Sequence, residues 1–201
     1  MALSYPYSVD FLAKCLSGPR IPLALQRFEE MSGSGDGRFW ATQLARPLWG
    51  ATYELYSHSA EKARELNAKI YGLDGSSKTF LWADPYYTGA VNGPAPSGIT
   101  VSAISSDRNR ISFSGDFDFT AGDFISITHS SGRYYFGTLV ENGTTALEIR
   151  PALHLGISVG DTVEVNAPRF KAIIPPGGFT PFASFRGRWG DSASITILQK
   201  I

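Results

Sequence analysis

The sequence predicts a mainly β protein: a β-sandwich or split barrel with one short α-helix, into which a second, smaller β-barrel is inserted. Three observations carry this reading. First, one pattern occurs twice: Ala121-Gly122-Asp123 runs into Phe124-Ile125-Ser126-Ile127, and Val159-Gly160-Asp161 runs into Thr162-Val163-Glu164-Val165. Gly-Asp supplies a turn, and the alternation behind it has the period of a half-buried strand. Second, residues 132–140 and 145–150 flank Asn142-Gly143, the strongest short-range hairpin signal. Third, residues 88–98 are rich in Gly and Pro and read as a linker, with strand patterns on either side.

Taken in order, residues 8–15 alternate, with Val9, Phe11, Ala13 and Cys15 on one face, which predicts a strand. Cys15 then reads as a small core residue. Ser17-Gly18-Pro19 marks a turn, and 21–30 continues as a second strand carrying Leu23, Leu25 and Phe28. Residues 32–37 form a glycine-rich loop. It lacks the Lys-Ser/Thr and the following helix that a phosphate cradle needs. Residues 38–45 and 48–56 predict a strand pair broken at Pro47, with Trp49, Ala51, Tyr53 and Leu55 sharing a face. The helix is expected at 60–71: Ser59 is its N-cap, Glu61 lies in the first turn, Gly72 follows the last, and Ala63, Leu66 and Ile70 form the inward stripe. A strand at 79–82 ends at Asp84-Pro85-Tyr86-Tyr87.

The inserted barrel takes residues 98–168, with strands near 99–105, 109–114, 123–129, 132–140, 145–150 and 161–167. Residues 169–174, 182–189 and 194–198 supply the last strands. Residues 1–90 and 169–201 are each too poor in strands to stand alone, so together they are expected to form one sheet-based domain around the insertion.

Composition bounds the function. The 18 basic residues balance the 18 acidic ones, so no whole-chain field steers the protein to nucleic acid. One cysteine excludes an intrachain disulfide and a multi-cysteine zinc site. No apolar run approaches the roughly 18 residues of a membrane helix, and the start does not resemble a signal peptide, so a chain made in the cytoplasm is expected. The hydrophobic share is 43% and the charged share only 18%, which suits a β-rich protein that buries much of its surface, in part against other subunits.

No catalytic constellation stands out. His58, His129 and His154 have no metal-binding spacing, and no nucleophile elbow, P-loop or dinucleotide fingerprint is present. The expectation is no enzyme, no cofactor and no metal, although Asp116, Asp118 and Asp123 are carboxylates of the kind a hard cation takes. Two aromatic sets are candidates for contact. Phe179, Phe182, Phe185 and Trp189, with Arg186 and Arg188, have the composition of a subunit interface. Trp82, Tyr86, Tyr87, Tyr134 and Tyr135 are candidates for stacking on sugar rings, since an OB-like barrel binds oligosaccharides or oligonucleotides. Residues 98–168 contain Arg108, Arg110, Arg133 and Arg150 but no lysine, which argues against single-stranded nucleic acid.

The layout resembles the distal tail proteins of siphovirus-type, long-tailed bacteriophages, in particular those with an inserted OB-like domain. The parts that carry the resemblance are an expected N-terminal hairpin over 7–31, the strand 49–56, the helix 60–71, the Phe80-Leu-Trp-Ala-Asp84-Pro85 exit, the paired Gly-Asp turns and Ile149-Arg-Pro-Ala-Leu153. The resemblance covers nearly the whole chain. It implies a structural virion protein of the tail tip or baseplate: a hexameric ring at the end of the tail tube, joined to the tube protein on one side and the hub on the other. DNA would pass through its channel only in transit, and the inserted barrel would point outward toward other tail-tip proteins. The alternative expectation is a carbohydrate-binding tail-tip module that contacts the host surface.

Overall fold

The computed structural model describes residues 4–13, 15–17, 21–33, 35–57, 59–185, 188–189 and 193–201. The chain is mainly β, built on two antiparallel sheets. Its elements in order are α1 (Asp10–Ala13), β1 (Leu16–Ser17), β2 (Ala24–Gly33), β3 (Phe39–Leu55), α2 (Ala60–Tyr71), β4 (Phe80–Ala83), β5 (Val101–Ile104), β6 (Arg110–Phe113), β7 (Phe124–Thr128) and β8 (Tyr134–Leu139). They continue with β9 (Leu147–Arg150), β10 (Thr162–Glu164), β11 (Arg169–Ile173), β12 (Phe179–Thr180), β13 (Ser184–Phe185), β14 (Arg188–Trp189) and β15 (Ala193–Gln199).

The first sheet runs β1-β3-β15-β11-β4, with β2 on the far part of β3 and β12 on β15. It joins strands from both ends of the chain: β15 pairs with β3 over six positions, from Ala193 opposite Leu55 to Leu198 opposite Gly50. Alternation on β15 is strict, with Ala193, Ile195 and Ile197 buried beneath α2 and the rest of the core. α2 matches its sequence signals. Ser59 accepts a hydrogen bond from the Lys62 amide at 3.2 Å, and Ala63, Leu66 and Ile70 are buried. Gly72, however, is right-handed (φ −63°) rather than a left-handed cap, and its value lies in size. A Cβ there would stand 3.1 Å from the Tyr7 hydroxyl, beside the Tyr5 hydroxyl that donates to the Gly72 carbonyl at 2.7 Å.

Two local expectations are corrected. Residues 10–13 form a short helix, not the middle of a strand, and among the described residues no hairpin spans 7–31, since β1 and β2 each pair with β3: Leu12 is wholly buried, the very residue that breaks the alternation, and a helical turn lets it and Phe11 reach the core together. Residues 39–55 form one continuous 17-residue strand rather than two. Pro47 is tolerated because the β2–β3 register shifts there, between Gln26 opposite Leu48 and Phe28 opposite Ala45, so the missing N–H breaks no regular ladder.

The second sheet runs β10-β7-β8-β9-β6-β5. It closes on itself: the Val101 amide donates to the Asp161 carbonyl at 3.0 Å and the Val163 amide to the Ile99 carbonyl at 2.9 Å. The result is a six-stranded antiparallel barrel, one strand more than the five of an OB-fold. The repeated motif is solved the same way twice. Gly122 and Gly160 take φ of +98° and +92°, values that favour glycine. The next aspartate turns its carboxylate back on the amide three residues earlier: Asp123 accepts from Thr120 at 2.9 Å and Asp161 from Ser158 at 2.8 Å. Each copy thereby launches a barrel strand, β7 and β10, and these two strands pair with each other.

Residues 88–98 are not a free linker. Ala90 and Ala95 are buried in the barrel core, Asp123 also accepts from the Val91 amide at 3.0 Å, and the Asn166 side chain clasps Ala95 through both its carboxamide atoms. The barrel core holds Ile111, Ile125, Ile127, Tyr135, Leu139, Ile149 and their neighbours, separate from the core beneath the first sheet. One strand serves both. On β8, Tyr135 points into the barrel and Phe136 out of it into the other core, where it meets Phe170 with ring centres 4.9 Å apart. Phe124 of β7 stacks on Phe136 at 5.2 Å, and Trp49 of β3 meets both rings edge-on at 5.6 and 5.7 Å.

Candidate functional site

The outer half of the β2–β3 hairpin is the most unusual surface of the chain. Its register runs from Glu29 opposite Gln43 to Gly33 opposite Phe39, and every residue of β3 from Phe39 to Arg46 is exposed. At the strand rise of about 3.4 Å per residue this ribbon reaches roughly 25 Å. Exposure is ordinary for a hairpin tip, but its composition is not. Met31 is 67% exposed, Phe39 70%, Trp40 59% and Leu44 65%. Pairing sets their directions: Met31 opposite Ala41 shares a face with Phe39, Trp40 lies on the other face, and Leu44 stands at a register shift. Both faces of the arm are therefore apolar at the tip. A two-stranded ribbon without a covering layer is marginal in water, and exposed apolar clusters of this kind mark contact surfaces.

The aromatic candidates divide differently from their expected roles. Trp82 and Tyr135 are 1% and 2% exposed, so neither has a face free to stack on a sugar. Trp82 packs against Tyr53 at 5.0 Å, and the Tyr135 hydroxyl donates to the Pro151 carbonyl at 2.6 Å. Both were drawn inward because strand alternation puts them on core faces. Tyr86, Tyr87 and Tyr134 are half-buried. Tyr87 packs on Phe124, and burial with the nearby Asp123 carboxylate pushes its phenol up to about 12. Of the interface candidates, Phe182 is a core residue, packed beneath the first sheet, and Phe179 is half-buried against Tyr71. Phe185 lies on β13 and Arg188 and Trp189 on β14, which pair as a small separate ribbon. Arg186 and His58 lie outside the described residues.

The apolar arm was missed because 24–33 and 39–46 read locally as ordinary strands. Nothing in a strand pattern says that both of its faces lack a neighbour. A signal was present: Phe39-Trp40 is a pair of large apolar residues side by side, and adjacent strand residues point to opposite faces.

Asp123 and His154 are held by structural contacts. Asp123 is buried and spends both oxygens on backbone amides, and Asp116 and Asp118 do not join it. Among the described residues no three His, Cys, Asp or Glu side chains gather into a metal-binding group. Burial raises the Cys15 thiol above its ordinary value, the state of a packed rather than a reactive cysteine. His154 is buried, with Nε2 3.4 Å from the Tyr134 carbonyl and no hydrogen-bond partner for Nδ1. Burial lowers its affinity for a proton, and Arg46, Arg133 and Arg108 lower it further. The unfolded chain therefore binds this proton at a higher pH, near 6.5, and stability falls as pH drops through that value. Unfolding midpoints in denaturant between pH 8 and 5.5 are expected to show this fall in the parent protein and a flatter profile in His154→Gln. Equal slopes in the two proteins would contradict the assignment.

No helix of the described residues is long and apolar enough to cross a membrane, which says nothing of strands. Compared with known proteins, the chain matches no protein-family model, and no curated protein sequence is significantly similar to it.

Proposed function

We propose that this chain is a structural protein of a phage tail tip, a distal tail protein whose copies close into a ring between the tail tube and the hub, with the genome passing through the opening. The single observation that carries the reading is the hairpin arm with Met31, Phe39, Trp40 and Leu44 exposed on both faces. A monomer has no use for such an arm, whereas a ring gives each arm a neighbour to lie on and gives each strand edge cover. The head-to-tail contact is heterologous, the kind that generates closed rings. The balanced charge of the chain agrees with a conduit, because a strongly cationic lumen would hold the passing phosphates.

The alternative of a carbohydrate-binding module is weakened by the burial of Trp82 and Tyr135, which leaves three half-buried tyrosines in place of a five-ring platform. Sedimentation analysis and negative-stain imaging of the purified full chain test the ring reading. The expected result is one discrete oligomer that images as a closed ring, six copies by the family resemblance. A monomer that persists to high concentration, with no rings on the grid, would sink it.

A further inference from the structure

A second surface lies where the two sheets meet, away from the arm. A cleft of about 440 Å³ is lined by Lys78 and Thr79 before β4, Lys171 of β11, Lys200 after β15, and Arg133 and Tyr134 at the start of β8. Its members come from both sheets and are held in place. The Lys200 amide donates to the Lys171 carbonyl at 2.8 Å, which sets these two residues side by side. The Lys171 ammonium lies over the Tyr134 ring, 5.8 Å from its centre, and a Cβ on Gly132 would be 3.9 Å from it. The ammonium of the first sheet thus stands at the turn that carries the barrel's Arg133. Lys78 Nζ is fixed 3.2 Å from the Gly72 carbonyl and 4.5 Å from the centre of the Tyr5 ring.

Four cations line this cleft, and none of its walls carries an Asp or Glu side chain, although Ile201, the last residue given, also lines it. Among the described residues none of the four has a carboxylate within 4.0 Å, although six such pairs occur elsewhere on the chain. Ser77 and Thr79 add hydroxyl donors. Like charges that outnumber their counter-charge repel one another, and that repulsion is relieved by an anion that several of them share.

We propose that this cleft binds a compact phosphoryl dianion, such as a phosphomonoester or a pyrophosphate group. A lone carboxylate would answer only one of four positive charges, whereas a phosphoryl group carries close to two and accepts hydrogen bonds on every free oxygen. A long polyanion fits less well. The cleft has the volume of a small-ligand site, and residues 98–168 carry eight acidic residues against four basic ones, which repel a chain of phosphates laid across the barrel. The site escapes a reading of the barrel alone, since its three lysines come from the surrounding domain. It stands on the cleft and not on the ring reading.

Isothermal titration of the full chain with pyrophosphate, inorganic phosphate, acetate and an unphosphorylated oligothymidylate, all at one ionic strength, tests it. The expected result is saturable binding of pyrophosphate, weaker binding of phosphate and none of acetate. Lys171→Gln and Arg133→Gln should each weaken pyrophosphate by about tenfold or more, with Lys171→Arg close to the parent. Lys200→Gln, at an exposed residue beyond the last strand, provides the same reading if either of the first two fails to fold. Absence of saturable pyrophosphate binding, unchanged affinity in folded variants, or tighter binding of the oligothymidylate would overturn the proposal.

Discussion

Phe136→Ala is expected to cost about 3–5 kcal/mol of unfolding free energy, the range for deleting a large buried aromatic side chain. The ring is 1% exposed and stands at the crossing of four others: stacked on Phe124, edge-on to Trp49, tilted against Phe170, with Tyr87 behind Phe124. It belongs to a barrel strand but fills the core of the other sheet, so its loss opens a cavity at the seam and not within the barrel. The form of the transition should change with its midpoint. Guanidinium unfolding followed by tryptophan emission reports chiefly the first sheet, since Trp40, Trp49 and Trp82, three of the four tryptophans, lie on its strands and residues 98–168 contain none. Far-ultraviolet circular dichroism reports both sheets. The two probes should coincide in the parent chain and separate in the variant, because the barrel closes by its own hydrogen bonds and keeps its own core. A cost below about 1 kcal/mol, or transitions that still coincide in the variant, would show that coupling of the two units does not depend on Phe136.

The second large effect concerns assembly. Replacing Met31, Phe39, Trp40 and Leu44 together by threonine should leave the isolated subunit's melting temperature nearly unchanged. None of the four touches either core, and exposed substitutions rarely move stability by more than about 0.5 kcal/mol each. Threonine keeps the β preference of the arm. Association should respond strongly. Covering four such side chains, each about two-thirds exposed in the subunit, contributes roughly 4–8 kcal/mol per arm, so the subunit dissociation constant should rise by at least about a thousandfold. Sedimentation at matched concentrations reads this directly. An unchanged oligomer in the quadruple variant would remove the arm from the interface and leave the ring reading without its support.

What could be read from the residues was what local periodicity decides. The six barrel strands appear near their expected places because each alternates between a Gly-rich turn and the next, and a turn such as Gly122-Asp123 is closed by atoms three residues apart. Helix α2 follows for the same reason: its cap lies three residues from the amide it holds, and its stripe repeats every turn. Wherever the outcome depended on distant parts of the chain, the same reasoning failed. Leu12 is pulled into a core assembled from strands as far as Ile197, at the other end of the chain, and that pull turns an alternating segment into helix. Trp82 and Phe182 look like contact residues by type, but their side of the sheet is closed by other strands and α2.

The candidate surfaces follow the same division. Residue type alone offered aromatics and arginines, and the structure buried several of them. It left exposed an arm whose apolar residues looked ordinary in a strand, because exposure is a property of what does not lie next to a residue. The cationic cleft joins Lys78, Arg133, Lys171 and Lys200, spread over more than a hundred positions of a chain with no net charge. By itself the sequence determined the β class, the capped helix and the doubled Gly-Asp turn, since each rests on interactions within a few residues. Only the tertiary structure decided which faces were covered, because burial and net field are sums over neighbours that the chain brings together from far apart.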